Sequence, residues 1–159
     1  MNNGEYNLSD IIDVMEEVLA SGGEFRIYPK GTSMLPLIRQ GRDSVVLKRD
    51  FESAAKKHDI AFYRRDNGAF VLHRVMRVAK DGTYVMCGDN QTALESGIKK
   101  EQIIAHVITV YRENKAVPTG KLKYRFYVFV WCIIPYRRFA RFCGSAWRSV
   151  KRRLGRNKK

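Results

Sequence analysis

At 159 residues, with ordinary apolar content, the chain can build one compact domain with a real core but not two, and its composition argues against wholesale disorder. Its net charge of +14 is concentrated at one end: residues 121–159 hold 13 Lys or Arg and no acid, whereas positions 1–120 carry 17 basic against 16 acidic residues. Three cysteines without regular spacing (Cys87, Cys132, Cys143) and three histidines not spaced with them (His58, His73, His106) argue against a disulfide framework and a zinc site, so neither metal nor cofactor is expected.

The opening Met1–Asp10 is polar, and Asp13, Glu16 and Glu17 interrupt the apolar run that follows, so no N-terminal signal peptide is expected. From Leu8 to Ala20 the spacing predicts a helix. Ile11, Ile12, Met15, Val18 and Leu19 recur three and four apart, Ser9 or Asn7 stands where a cap belongs, and Gly22-Gly23 ends the run. It is too short and too charged to span a bilayer and is expected to pack on the domain or its substrate cleft. Phe25-Arg26-Ile27-Tyr28 reads as a short strand leading to Pro29. Ser33 follows on a turn in which Gly31 would permit close approach by a substrate backbone, Met34 and Leu35 would bury the turn's ends, and Pro36 would stiffen it.

The next segments read as strands separated by tight turns. They are Ser44–Leu47 after Gly41, Ile60–Arg64 after a polar turn, Phe70–Val78 after Asp66-Asn67-Gly68, Thr83–Met86 after Lys80-Asp81-Gly82, and Ile103–Tyr111. The predicted body is mainly β, antiparallel, with six or seven strands. Side chains alternate along a strand, so His73 should face the same way as Val71 and Val75.

Ser33, His73 and Asp89 are the three kinds of side chain that a serine hydrolase uses. Serine needs a base to take its proton, histidine titrates near neutrality, and an acid on the far ring nitrogen fixes the tautomer. The flanking residues resemble the boxes of the signal peptidase I family and the related self-cleaving repressor proteases. Gly31-Thr32-Ser33-Met34-Leu35-Pro36 is similar to the serine box. Gly41-Arg42-Asp43-Ser44-Val45-Val46 and His58-Asp59-Ile60-Ala61-Phe62-Tyr63-Arg64 are similar to its Gly-Asp-x-Val strands, with an inserted arginine in the first and His58 for glycine in the second. Val71-Leu72-His73-Arg74-Val75 is similar to the box of the general base, with the histidine of the archaeal, endoplasmic-reticulum and some Gram-positive enzymes rather than lysine. Gly88-Asp89-Asn90 is similar to the Gly-Asp-Asn box, and Ala105-His106-Val107 stands where Gly-Lys-Val is usual. The resemblance runs from about Phe25 to Arg112, with the boxes in the family's order.

It implies a signal-peptidase-like β fold with Ser33 as nucleophile, His73 as general base and Asp89 or Glu95 as the third member, Asp89 being favoured because Glu95 lies in a poorly matched stretch. Gly31, Thr32, Ser33 and Met34 would line the substrate and oxyanion site. Many relatives have serine where Gly31 stands, so the oxyanion would rest on the Ser33 N–H plus another donor, such as Thr32; one such donor is worth about 2.7–4 kcal/mol. His58 and His106 are read as incidental turn or surface residues.

The end of the chain carries its most hydrophobic run, Phe126–Ile134, which is too short to span a bilayer. Beyond Pro135, Phe139, Phe142 and Trp147 recur at helical spacing among Arg137, Arg138 and Arg141. Aromatic and basic faces on one amphipathic helix suit an anionic membrane surface, to be met by these residues and by Phe126, Phe129 and Trp131. Nucleic acid is the less favoured partner.

The expected organisation is a helix over residues 1–24, a catalytic domain over 25–117 and a membrane-associating tail over 118–159. The expected protein is a membrane-associated serine endopeptidase acting on signal or leader peptides through an acyl-enzyme. The tail would dock it peripherally, facing the cytoplasm, or serve as an unusual C-terminal anchor with the active site outside. The alternatives are a self-processing regulatory relative and a non-enzymatic module binding membrane or nucleic acid.

Overall fold

The protein, seen as a computed structural model, is described over residues 8–50 and 55–132. Phe139, Phe142, Trp147, Arg137, Arg138 and Arg141 therefore lie outside the described residues. Helix α1 (Leu8–Ala20) is followed by β1 (Glu24–Ile27), β2 (Asp43–Lys48), β3 (Ile60–Arg64), β4 (Phe70–Val78), β5 (Tyr84–Cys87), β6 (Glu95–Ile98), β7 (Ile103–Arg112), β8 (Lys115–Pro118) and α2 (Leu122–Trp131). The fold is mainly β, as the strand pattern predicts. All pairings are antiparallel, in the spatial order β1-β2-β7-β3-β4-β5-β6. The long strand β7 organises the sheet. β2 lies along one edge, while the other edge is divided between β3, at residues 103–106, and β8, at residues 109–112.

Strand alternation divides the core between the two faces of the sheet. On one face Ile60, Phe62, Leu72, Val45, Leu47, Ala105, Val107 and Val110 pack with Met15 and Leu19 of α1 and with Tyr124 and Val128 of α2. Burying a Leu or Met side chain contributes about 1.5–3 kcal/mol, so two such residues suffice to dock α1. The buried face of α1 is narrower than its spacing predicts, because Ile11 remains 42% exposed. On the other face lie Ala61, Tyr63, Val75, Tyr84, Met86 and Ile98, with Val71 against them. His73 pairs with Ala61 and belongs to this second face, beside Val71 and Val75 as the alternation predicts. Arg74, the next residue, points to the first.

Candidate active site

The turn bearing Ser33 is rooted by its apolar residues. Met34, Leu37 and Ile38 are buried in the first cluster, the Ile38 N–H donates to the Met34 carbonyl at 3.0 Å, and the Leu35 N–H donates to that of Thr32 at 3.3 Å. Met34 is therefore a core side chain, 4% exposed, and not the substrate contact expected of it. Gly31 has a φ of +92°, opens onto empty space where a side chain would be, and donates its N–H to Gln40 Oε1 at 2.7 Å. Among the described residues no hydrogen bond takes up the Ser33 N–H or the Thr32 hydroxyl, so both remain available as donors.

Asn90 holds this turn from the other side. Its N–H donates to the Ser33 carbonyl at 2.7 Å and its Nδ2 donates to the Thr32 carbonyl at 3.1 Å. Gly88 makes that approach possible. A Cβ at Gly88 would lie 2.7 Å from the Ser33 carbonyl oxygen and 3.1 Å from His73 Nε2, so the serine turn and the imidazole converge on this glycine. No hydrogen bond joins Ser33 to His73 among the described residues; what meets beside Gly88 is the Ser33 carbonyl oxygen and His73 Nε2, with Gln91 Oε1 next to them.

Behind the imidazole is a chain of polar groups. His73, 4% exposed, has Nδ1 3.3 Å from the Tyr63 hydroxyl, which donates to Glu95 Oε2 at 2.7 Å. Arg65 grips the same carboxylate with Nε at 2.7 Å from Oε1 and Nη2 at 2.6 Å from Oε2. Arg65 holds Glu95 below the usual carboxylate range, and burial together with Glu95 raises the Tyr63 phenol. Burial pulls the His73 imidazole down to about 4, with Glu95 working the other way. The imidazole is therefore neutral at pH 7, as a general base must be. His73, Arg65 and residues Asn90–Glu95 line an open cleft of about 540 Å³.

Asp89, expected to orient His73, does something else. Its carboxylate forms a two-pronged pair with Arg74, Nε–Oδ1 at 2.8 Å and Nη2–Oδ2 at 2.6 Å, both side chains being fully buried. The cause is strand alternation: Arg74 follows His73 and faces the opposite side of the sheet, and Asp89 goes with Arg74. The acid that His73 meets is Glu95, with Oε2 3.9 Å from Nδ1. Glu95 opens strand β6, paired with Met86, and so does not lie in a loose stretch.

The spacing also missed Tyr63, Arg65, Arg74 and Tyr124. A signal for Arg74 was present: an arginine inside a strand that buries both faces requires a carboxylate. Its Nη1 completes the cage, donating to the His58 carbonyl at 2.8 Å and to Tyr124 Oη at 3.0 Å. Burial disfavours the Arg74 charge, but Asp89 more than offsets this and keeps the guanidinium well above its ordinary value.

Neither His58 nor His106 joins the polar chain from His73 through Tyr63 to Glu95. His58 sits in a turn at φ +80°. His106 stands on β7 opposite Ala61, with its Nδ1 buried and unpartnered among the described residues, and burial lowers its pKa.

Helix α2 has two unlike faces. Tyr124 and Val128 are buried, and the Trp131 indole N–H donates to the Asp89 carbonyl at 2.8 Å, so Trp131 turns inward and is not the membrane contact expected of it. Leu122, Phe126 and Phe129 are 82%, 68% and 67% exposed. Among the described residues no helix is long and apolar enough to cross a membrane. No protein-family model, curated protein or solved structure matches the chain.

Proposed function

We infer that the protein is a serine endopeptidase that cleaves signal or leader peptides through an acyl-enzyme at a membrane surface. The observation that carries this reading is the convergence of the backbone of the Ser33 turn and of His73 Nε2 on Gly88, with a neutral imidazole backed by an anchored carboxylate. In this reading His73 Nε2 takes the Ser33 hydroxyl proton as Oγ attacks the scissile carbonyl, then gives it to the leaving amine, and water repeats the cycle to release the acyl group. The Ser33 N–H and the Thr32 hydroxyl are the donors for the oxyanion. Glu95, rather than Asp89, is the charge behind the base. The choice of signal or leader peptides rests on the resemblance of the motif boxes to signal peptidases.

The membrane part rests on α2, whose exposed Leu122, Phe126 and Phe129 recur at one-turn spacing beside Lys121, Lys123 and Arg125. Leu122, Arg125, Phe126 and Phe129 edge a groove of about 750 Å³ that also bears Lys56 and Lys57. Apolar side chains within a basic surround are complementary to anionic lipid. The Phe126→Ser/Phe129→Ser double variant is expected to sediment less with anionic vesicles than the parent.

The decisive experiment compares new peptide N-termini in membranes and synthetic leader peptides incubated with the wild type, Ser33→Ala and His73→Ala. Termini that require both side chains are the expected result. Termini unchanged by Ser33→Ala would falsify the assignment.

A further inference from the structure

We propose that Tyr63 is a positioning residue that sets the tautomer of His73 and relays the charge of Glu95 to it; this rests on the serine-peptidase reading. The inference follows from counting protons along the chain of contacts. A phenol has one proton to give, and Tyr63 gives it to Glu95 Oε2 at 2.7 Å. Its oxygen is then only an acceptor toward the atom 3.3 Å away, His73 Nδ1. For that contact to be attractive, Nδ1 must carry the ring proton. A neutral imidazole carries one, so Nε2 is left with its lone pair, and Nε2 is the atom that faces Gly88 and the serine turn. Glu95 cannot impose this directly, because its Oε2 lies 3.9 Å from Nδ1, beyond hydrogen-bond reach. The carboxylate acts through the phenol.

The surroundings hold the relay in place. Tyr63 is fully buried in the second core cluster, on β3 opposite Val71 of β4, so its ring cannot swing away. Arg65 occupies both oxygens of Glu95 and fixes the direction in which the phenol donates. When Nε2 takes the serine proton, the new imidazolium lies against an oxygen whose own proton is shared with a carboxylate. The charge is thus stabilised without a carboxylate in direct contact, in the role that an aspartate performs in other serine hydrolases. Asp89 accordingly pairs with Arg74 and not with the imidazole.

The test begins with the unaltered full-length protein. The ¹⁵N spectrum of His73 at neutral pH, assigned by its loss in His73→Ala, is expected to show a protonated Nδ1 and an unprotonated Nε2. Protonated Nε2 would overturn the proposal whether or not the protein is a peptidase. Tyr63→Phe is then expected to let the other tautomer appear and to lower kcat by ~10²-fold with little change in KM. Glu95→Gln should act in the same direction, and it serves as the second variant if Tyr63→Phe does not fold. A wild type with Ser33-dependent cleavage, alongside a Tyr63→Phe protein with wild-type kcat and an unchanged tautomer, defeats this proposal and leaves the peptidase reading intact. The expected tautomer without any Ser33-dependent cleavage defeats the peptidase reading alone.

Discussion

Gly88 and His58 invert the usual placement of glycine. Gly88 needs the absence of a side chain: its Cβ would press on the Ser33 carbonyl at 2.7 Å, backbone that Asn90 already holds. Gly88→Ala is therefore expected to push the serine turn from the imidazole and to reduce peptide cleavage by ~10²-fold or more, the scale of loss for a displacement of about 1 Å. Cleavage at the wild-type rate would show that the turn yields without consequence. His58 has a side chain where the backbone favours glycine, at φ +80°, the position at which the resembled motif has glycine. Left-handed backbone costs a residue with a side chain roughly 1–2 kcal/mol, and glycine's greater unfolded freedom offsets about half of that. His58→Gly is thus expected to raise the urea midpoint by the equivalent of up to about 1 kcal/mol, and a lowered midpoint contradicts the strain. At this scale Ser33, His73 and Gly88 were legible as short motifs. Tyr63 was not, and Glu95 was legible only as the less favoured of two acids, because they meet His73 only through the register of β3 on β4 and of β5 on β6, which no local spacing encodes.

Elements were legible where apolar alternation marks them and illegible where a neighbour alone creates them. β6 reads Glu-Ser-Gly-Ile, with only Ile98 buried, and forms because β5 offers it an edge. β8 follows a two-residue turn, Glu113-Asn114, with φ of +48° and +66°. That is the geometry that Asn-Gly or Asp-Gly usually announces, made here without glycine. Helix α2 was legible as apolar but not as two-faced, since the buried partners of Tyr124 and Trp131, Arg74 and Asp89, lie far back in the chain. This division makes a prediction about the two faces. Tyr124→Phe leaves a buried guanidinium N–H without its acceptor and is expected to cost about 1–3 kcal/mol. Phe126→Ala, on the exposed face, should stay within about 0.5 kcal/mol. Urea unfolding compares the two, and equal losses would mean that α2 does not dock by this face.

For the molecule as a whole, His73 and His106 tie stability to pH differently from activity. An unfolded histidine titrates near 6.5, whereas burial places folded His73 at about 4 and lowers His106, against the pull of Asp59 and Asp50. Between those values the unfolded chain holds protons that the folded chain does not. Stability should therefore fall as pH drops from about 6.5 toward 4, by up to about 1.4 kcal/mol per pH unit from His73, with a loss of the same sign from His106. Activity needs only neutral His73, so kcat/KM should rise with pH through about 4 and then level off, whereas stability should go on rising with pH up to about 6.5. The variant His106→Phe separates the two effects. It removes one of the two proton uptakes and the unpartnered Nδ1, in a strand position where an aromatic ring already fits. The slope of unfolding free energy against pH should become shallower, read by urea midpoints from neutrality down to about 4. The rise of kcat/KM should stay where it was, because His73, Tyr63 and Glu95 are untouched. An unchanged slope would show that His106 already binds its proton in the folded state, and a displaced rate profile would mean that the two histidines, separated by Ala61 on the same face of the sheet, titrate as one unit.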